Sequence, residues 1–194
     1  LDLPAPPLPC PVTCDTRTIA GASGDPDVRI LVYLPMVRTM PSGAVLHMHG
    51  GGFVSGTPEM NDPGNRLIAA QLGCVVVSVD YRLAPETRHP GAIEDCYAAL
   101  RWLHEQAGRL GIDPSRIAVG GESAGGGHAA ALALIARDRG RYPIVHQHLI
   151  YPMIDDRTGT DAAPAPDAGN PIWTAASNRF GWRALLGIEP GSDD

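Results

Sequence analysis

Two short glycine-rich strings hold the residues of this chain that could do chemistry. They are His49-Gly50-Gly51-Gly52-Phe53 and Gly121-Glu122-Ser123-Ala124-Gly125. The second string matches G-x-S-x-G, a sharp turn that carries a serine from the end of a strand onto the start of a helix. The first string offers backbone amides without side chains, which can face the negative charge that develops on a carbonyl oxygen during acyl transfer. Together the two strings predict a serine nucleophile, Ser123, beside an oxyanion hole.

The sequence around each string predicts the elements that would position it. A short apolar strand, Ala44–Met48, leads directly into the first string, and another, Ile117–Val119, ends at the second. From Ala124 to about Ala136 nearly every residue is small or apolar, which is typical of a helix packed beneath a sheet. A strand, a serine turn and a helix in succession form the context that a functional G-x-S-x-G requires.

Further strands and helices are predicted to alternate along the chain, which indicates an α/β fold. We expect an antiparallel hairpin at the N-terminus and a doubly wound, mostly parallel sheet after it. Residues 1–14 are predicted to be an extended, proline-rich lead-in, and residues 15–194 to be a partial α/β core. Within that core, residues 158–194 are predicted to form a cap-like or connecting segment. The predicted elements are strands Thr13–Ile19, Val28–Leu34, Cys74–Asp80 and Ile144–Ile150, and helices Asn65–Leu72, Ile93–Leu110 and Trp173–Leu186.

Composition narrows the class of protein. The chain has 194 residues, 44% of them hydrophobic and 19% charged, as in globular domains. Its net charge of -6 argues against nucleic-acid or membrane-surface partners, and no apolar run is long enough for a membrane span. Cys74 and Cys96 are predicted to be buried. Cys10 and Cys14 could form a local bridge or half a metal site, but no second Cys/His pair at metal-ligand spacing accompanies them, so we interpret them as incidental. We expect no metal and a reducing, cytoplasmic location.

Taken together, the motifs resemble those of bacterial carboxylesterases of the hormone-sensitive-lipase-like family. The matching stretches are 49–53, Asp-Tyr-Arg-Leu-Ala-Pro-Glu at 80–86, 113–126 with the serine turn, and Tyr151-Pro152. The resemblance implies an α/β-hydrolase fold, small ester substrates and no cofactor. It also implies an oxyanion hole made by the amides of Gly51, Gly52 and Ala124.

The remaining residues of the two strings have supporting roles in this interpretation. His49 is expected to brace the oxyanion loop rather than to move protons, and Glu122 to shape the turn before the serine. Gly50, Gly121 and Gly125 are expected to allow close approach of backbones. A separate expectation is that Asp80, Arg82 and Glu86 form a structural ion-pair cluster beside the site.

The acid and histidine of a catalytic triad are not evident. The family orders its triad as serine, acid, histidine, with the last two near Asp-Pro-Leu-like and His-x-Phe-like strings, and neither string follows Ser123. The histidines after Ser123 are His128, His146 and His148, and none is expected to act as the base. The chain thus resembles the front two thirds of the family's catalytic domain, whether as a natural truncation, a fragmentary gene or a trimmed chain.

Two functions remain open at this point. The chain could be an esterase core that is weakly active or inactive by itself, because it lacks its own base and acid. Alternatively, it could be a catalytically dead binding or regulatory fragment that retains the ester pocket. In either case the strand Ile144–Ile150 is expected to be an open sheet edge, which would favour homo-oligomers or aggregation.

Overall fold

A six-stranded sheet with the order β1-β2-β4-β3-β5-β6 forms the centre of the molecule. The computed structural model describes residues 7–158 and 172–192. Residues 1–6 of the predicted lead-in, and 159–171 and 193–194 of the predicted terminal segment, therefore lie outside the described residues. The strands are β1 Val12–Ile19, β2 Val28–Pro35, β3 Ser42–Met48, β4 Val75–Asp80, β5 Ile112–Glu122 and β6 His146–Ile150.

Strand directions in the sheet agree with the predicted fold class. β1 and β2 form the expected antiparallel hairpin, with Val12 opposite Pro35 and Ile19 opposite Val28. β2 is also antiparallel to β4, whereas the pairs β3–β4, β3–β5 and β5–β6 are parallel. Since parallel strands end at the same edge of a sheet, β3, β4, β5 and β6 deliver their following loops to one place.

Helices cover both faces of the sheet, which confirms the doubly wound arrangement. They are α1 Asp62–Leu72, α2 Gly91–Glu105, α3 Ala107–Leu110, α4 Ala124–Arg139 and α5 Ala175–Leu186. On one face, residues of α1 such as Ala69 pack against Leu31 and Val76 of the sheet. On the other face, α2 and α4 bury Leu100 and Leu132 in the main core. Burial on both faces explains why β4 is a continuous β-branched apolar run.

Two elements differ most from their predicted bounds, and the ends of the others shift by one to three residues. The single helix predicted over Ile93–Leu110 is two helices, which meet at Gln106 with φ -93° and ψ 5°. The hydrophobic repeat continues through the break because Leu103, Ala107 and Leu110 are all buried, so periodicity could not detect it. β5 also begins earlier than predicted, at Ile112, where it pairs with Ser42 beside an irregularity in the register.

Candidate active site

Ser123 lies at the junction of β5 and α4, in the turn that its motif predicts. Its backbone has φ 55° and ψ -117°, a region that residues with a side chain rarely occupy, so the surrounding structure must hold it there. The Ser123 amide donates a hydrogen bond to the Ile150 carbonyl oxygen (2.9 Å), and the Met153 amide donates to the Ser123 carbonyl oxygen (2.9 Å). The ends of β5 and β6 are thereby tied together at the serine.

Close backbone packing explains the glycines of the serine turn. A Cβ atom built on Gly121 would lie 2.3 Å from the Met48 carbonyl oxygen. One built on Gly125 would lie 2.1 Å from that oxygen and 2.5 Å from the His49 carbonyl oxygen. These contacts are with backbone atoms that cannot rotate away. The two glycines therefore let the start of α4 lie directly against the end of β3.

We expect Gly125→Ala to destabilise the fold by about 2–4 kcal/mol, because the new methyl group overlaps two backbone carbonyls. Gly64→Ala is the matched control, since a Cβ atom there would meet no atom within 4 Å. In α1 the control should be stabilising by about 1 kcal/mol through helix propensity. Urea unfolding of both variants measures the difference, and equal stability of the two would contradict this packing.

The glycine loop after β3 lies alongside Ser123. A Cβ atom on Gly50 would be 3.6 Å from the Ser123 Cβ atom. Gly51 and Gly52 have φ of 127° and 61°, and the amides of Val54 and Ser55 donate to the Gly51 carbonyl oxygen (both 3.1 Å). These contacts fold the loop into a compact turn that returns toward the chain before it.

Ala124 offers a backbone amide next to Ser123. It is the first residue of α4, and the first amides of a helix have no carbonyl four residues earlier to bind. The helix dipole adds partial positive charge at this end, where a developing oxyanion would be stabilised. The structure thus places Gly50, at the start of the glycine loop, beside Ser123 at the amide end of α4. A shared oxyanion hole formed by Gly51, Gly52 and Ala124 stays a prediction.

His49 is enclosed at the base of the loop. Its Nδ1 donates to the Gly50 carbonyl oxygen (2.7 Å), and its ring stacks on that of Tyr81 with 4.3 Å between centroids. The Tyr81 hydroxyl donates to the His49 carbonyl oxygen (2.6 Å). Burial lowers the pKa of His49 and thereby favours the neutral imidazole. The ring packs against Tyr81 at the base of the loop. These contacts favour the bracing role predicted for His49.

A wall of aromatic and aliphatic side chains closes the site on the side of α5. The Trp173 indole covers Gly52, where a Cβ atom would lie 2.0 Å from the ring. Trp182 packs against Phe53 with 4.8 Å between ring centroids. Beyond Phe53 lies an apolar cavity of about 280 Å³. Its lining includes Phe53, His128, Met153, Trp182, Leu185 and Leu186.

The predicted ion-pair cluster has different members. Arg82 binds the buried carboxylate of Asp95 (2.8 Å) and also Asp25 (3.2 Å), whereas Asp80 pairs with Arg29 (2.7 Å). Glu86 is exposed. The prediction of an Asp80–Arg82–Glu86 cluster was therefore wrong, because Asp80 and Arg82 pair with residues of β2 and α2, which are distant in the sequence.

None of the three histidines after Ser123 is its hydrogen-bond partner among the described residues. His128 is buried in α4, where its ring packs edge-on against Phe53 (5.1 Å) and Tyr81 (4.8 Å). Burial lowers the pKa of His128 to about 3. His146 and His148 lie in β6 with exposed side chains. Within the same part of the chain, no group of three or more metal-ligating side chains is present.

Comparison with known proteins places these features among esterases. The chain is 48% identical over 138 residues to Carboxylesterase NlhH of Mycobacterium tuberculosis, covering 71% of this chain and 43% of that protein. It is 44% identical over 124 residues to an arylesterase of Saccharolobus solfataricus, covering 64% of this chain and 40% of that protein. The chain thus spans less than half the length of these curated relatives.

Solved structures agree with the sequence matches. A bacterial heroin esterase superimposes with a TM-score of 0.86 at 43% identity, covering 94% of this chain and 58% of that one. A hyperthermophilic esterase from the archaeon Pyrobaculum calidifontis gives 0.82 at 39% identity, covering 91% and 58%. A family model described as the alpha/beta hydrolase fold matches residues 45–194. The chain therefore belongs to the α/β-hydrolase family, which confirms the family resemblance seen in its motifs.

Proposed function

We propose that this chain carries the nucleophile and the oxyanion hole of a carboxylesterase that acts on small acyl esters. The observation that carries the proposal is the strained position of Ser123 between β5 and α4, in contact with the glycine loop. The names of the relatives, carboxylesterase and arylesterase, support the same reaction class. An apolar cavity lies next to both strings, because its lining includes Phe53 of the first string and Gly127 in the first turn of α4.

In the proposed reaction the Ser123 Oγ atom attacks the ester carbonyl carbon and gives up its proton. The carbonyl oxygen becomes an anion that accepts hydrogen bonds from the amides of Gly51, Gly52 and Ala124. Collapse of this intermediate breaks the bond to the alkoxy oxygen, which leaves with a proton as the alcohol. Water then attacks the acyl group on Ser123 and releases the carboxylic acid.

The proton of the Ser123 hydroxyl needs a base. His128 is enclosed by aromatic rings and its pKa is lowered to about 3 by burial, so it is a poor proton acceptor near neutral pH. His146 and His148 are in the body of β6, and ligands bind beyond the carboxyl ends of parallel strands. We therefore propose that this chain by itself is weakly active or inactive, and that it uses no cofactor.

Labelling with a fluorophosphonate probe, read by mass spectrometry, tests the proposed nucleophile. We expect slow modification at Ser123 alone, because the strained turn and the oxyanion amides favour attack only at that hydroxyl. Ser123→Ala should abolish it and Ser115→Ala, which removes an exposed serine bound to Asp113 (2.7 Å), should not. Equal modification of several serines, or none, would support the alternative of a dead binding fragment.

The proposal includes a cellular location and a kind of partner. All four cysteines, Cys10, Cys14, Cys74 and Cys96, are free, which supports a reducing, cytoplasmic compartment. The net charge of -6 favours a small-molecule substrate over a nucleic-acid partner or an anionic membrane surface. No helix in the described ranges is long and apolar enough to cross a membrane.

Among the residues that the structure describes, β6 is an edge strand with exposed apolar neighbours, and we propose that it drives self-association. Val145 and Tyr151 flank it with 64% and 74% exposure, and an open strand edge pairs readily with another chain. Sedimentation should show association that increases with protein concentration. Val145→Lys should weaken it, while Leu72→Lys, at an equally exposed position in α1, should not. A stable monomer at high concentration would contradict this expectation.

A further inference from the structure

A polar cluster lies on the sheet face beneath α1, at the ends of β3, β4 and β5. Its centre is His47, whose side chain is only 5% exposed. The His47 Nε2 atom donates to the Glu122 carboxylate, at 3.1 and 3.2 Å from its two oxygens. The Nδ1 atom lies 3.3 Å from the Ser78 hydroxyl oxygen. The register explains the grouping, because His47 is opposite Ser78 on one side and Gly120 on the other, and Glu122 follows Gly120 by two residues on the same face.

Asparagines of the covering elements complete this cluster. The Asn61 side-chain amide donates to a Glu122 oxygen (3.3 Å), and that of Asn65 lies 3.5 Å from His47 Nδ1. Burial by itself would raise the pKa of Glu122. The hydrogen bond from His47 and the electrostatic attraction to it outweigh this effect together with smaller contributions, so the pKa of Glu122 lies below its usual value. Glu122 is therefore a carboxylate held in place by at least two donors.

The cluster adjoins the reacting serine through the backbone. Glu122 immediately precedes Ser123, and its carbonyl oxygen would lie 3.1 Å from a Cβ atom on Gly50. A residue with φ of 55° stays in that conformation only where its neighbours are fixed. The Ser123 amide and carbonyl are fixed by Ile150 and Met153. On the preceding side, the anchored group is the Glu122 side chain.

His47 also belongs to the strand that leads into the glycine loop. It is two residues before His49, so a single imidazole links the strand that ends at the oxyanion loop with the strand that ends at the nucleophile. A buried polar pair such as His47 and Glu122 adds little stability compared with well-packed apolar residues. A role in setting the geometry of the site explains its presence better than a contribution to folding.

Resting on the function proposed above, we propose that His47 is a positioning residue that acts through Glu122. It holds the Glu122 carboxylate and thereby fixes the conformation of Ser123 and its distance from the amides of Gly51 and Gly52. Glu122 itself does not exchange protons with Ser123, because successive side chains at a strand end diverge and its carboxylate binds His47 and Asn61.

The first test measures the rate at which a fluorophosphonate modifies Ser123. His47→Leu should slow it about 10- to 100-fold, since misplacement of reacting groups by about 1 Å has effects of that size. His47→Gln can still donate to Glu122 and should retain most of the rate. His104→Leu is the matched control, because His104 binds a backbone oxygen of Pro143 (3.2 Å) far from the cluster. Equal rates in His47→Leu and the control would overturn the proposal.

The second test does not depend on reactivity. Hydrogen exchange read by mass spectrometry should show faster exchange over residues 118–127 in His47→Leu and in Glu122→Gln, which keeps the shape of the side chain. Exchange over 62–72 should change less. Unchanged exchange over 118–127 would overturn the positioning role. An absence of Ser123 labelling in the unaltered chain would instead contradict the proposed function, so the two failures are distinguishable.

Discussion

The purified chain is expected to hydrolyse p-nitrophenyl butyrate barely faster than its Ser123→Ala variant. A serine hydroxyl is a weak nucleophile at neutral pH until a positioned base accepts its proton. Removing the serine or the histidine from a complete serine hydrolase lowers kcat by about 10⁶-fold, and an oxyanion hole with substrate binding leaves about 10³–10⁴ over water. Turnover by this chain should therefore lie far below that of an intact esterase.

Free imidazole offers a sharper form of this experiment. Imidazole in solution can accept the proton that His128, His146 and His148 cannot reach, so it should accelerate turnover in a manner that depends on Ser123. The Ser123→Ala variant measures the reaction that imidazole catalyses by itself. Turnover on the order of one per second without imidazole, lost in Ser123→Ala, would contradict the expectation and show that a base is already present.

Most of the fold could be predicted because local pattern and tertiary environment agree. Strand β4 is buried on both faces and is correspondingly a run of β-branched residues, and α1 ends at Gly73, whose φ of 57° needs a glycine. The break at Gln106 could not be predicted, because the buried residues on either side keep a helical spacing. A change in backbone conformation cannot be predicted from hydrophobic periodicity when the pattern of buried residues continues through it.

In the candidate site, too, some residues could be predicted from the sequence and others could not. Ser123 and the glycines could be predicted because close backbone contacts demand glycine at fixed spacing. His47 gave no signal, since its partner Glu122 is 75 residues away and meets it only through the register of β3 and β5. Arg82 illustrates the same limit. Its partner Asp95 lies in α2, so the charged residues next to Arg82 in the sequence do not reveal the pair.

His128 illustrates the difference between a residue type and its environment. As a histidine after the serine it is a candidate base by type, yet the structure buries it against Phe53 and Tyr81. Its Nε2 atom has no hydrogen-bond partner among the described residues. Burial lowers its pKa to about 3, against about 6.5 in an unfolded chain. The folded protein thus holds this imidazole neutral across a wide range of pH.

This environment predicts a specific sensitivity to acid. The unfolded chain binds a proton at His128 near pH 6.5, whereas the folded chain does so only near pH 3. The contribution of His128 to stability is therefore complete above pH 6.5 and is lost as the pH falls from 6.5 toward 3. At pH 4.5 the loss from this one group should be about 2–3 kcal/mol. His49, whose pKa burial also lowers, adds a loss of the same sign.

The His128→Leu variant isolates this effect, because leucine fills a similar volume among the same aromatic rings and binds no proton. Urea unfolding at pH 7.5 and at pH 4.5 should show that the variant loses about 2–3 kcal/mol less stability than the unaltered chain. The contribution of His49 remains in both proteins and cancels in the comparison. His146→Gln, at an exposed position in β6, should behave like the unaltered chain. Equal losses in His128→Leu and the unaltered chain would mean that the His128 imidazole is protonated in the fold, and that the aromatic enclosure around it opens to water.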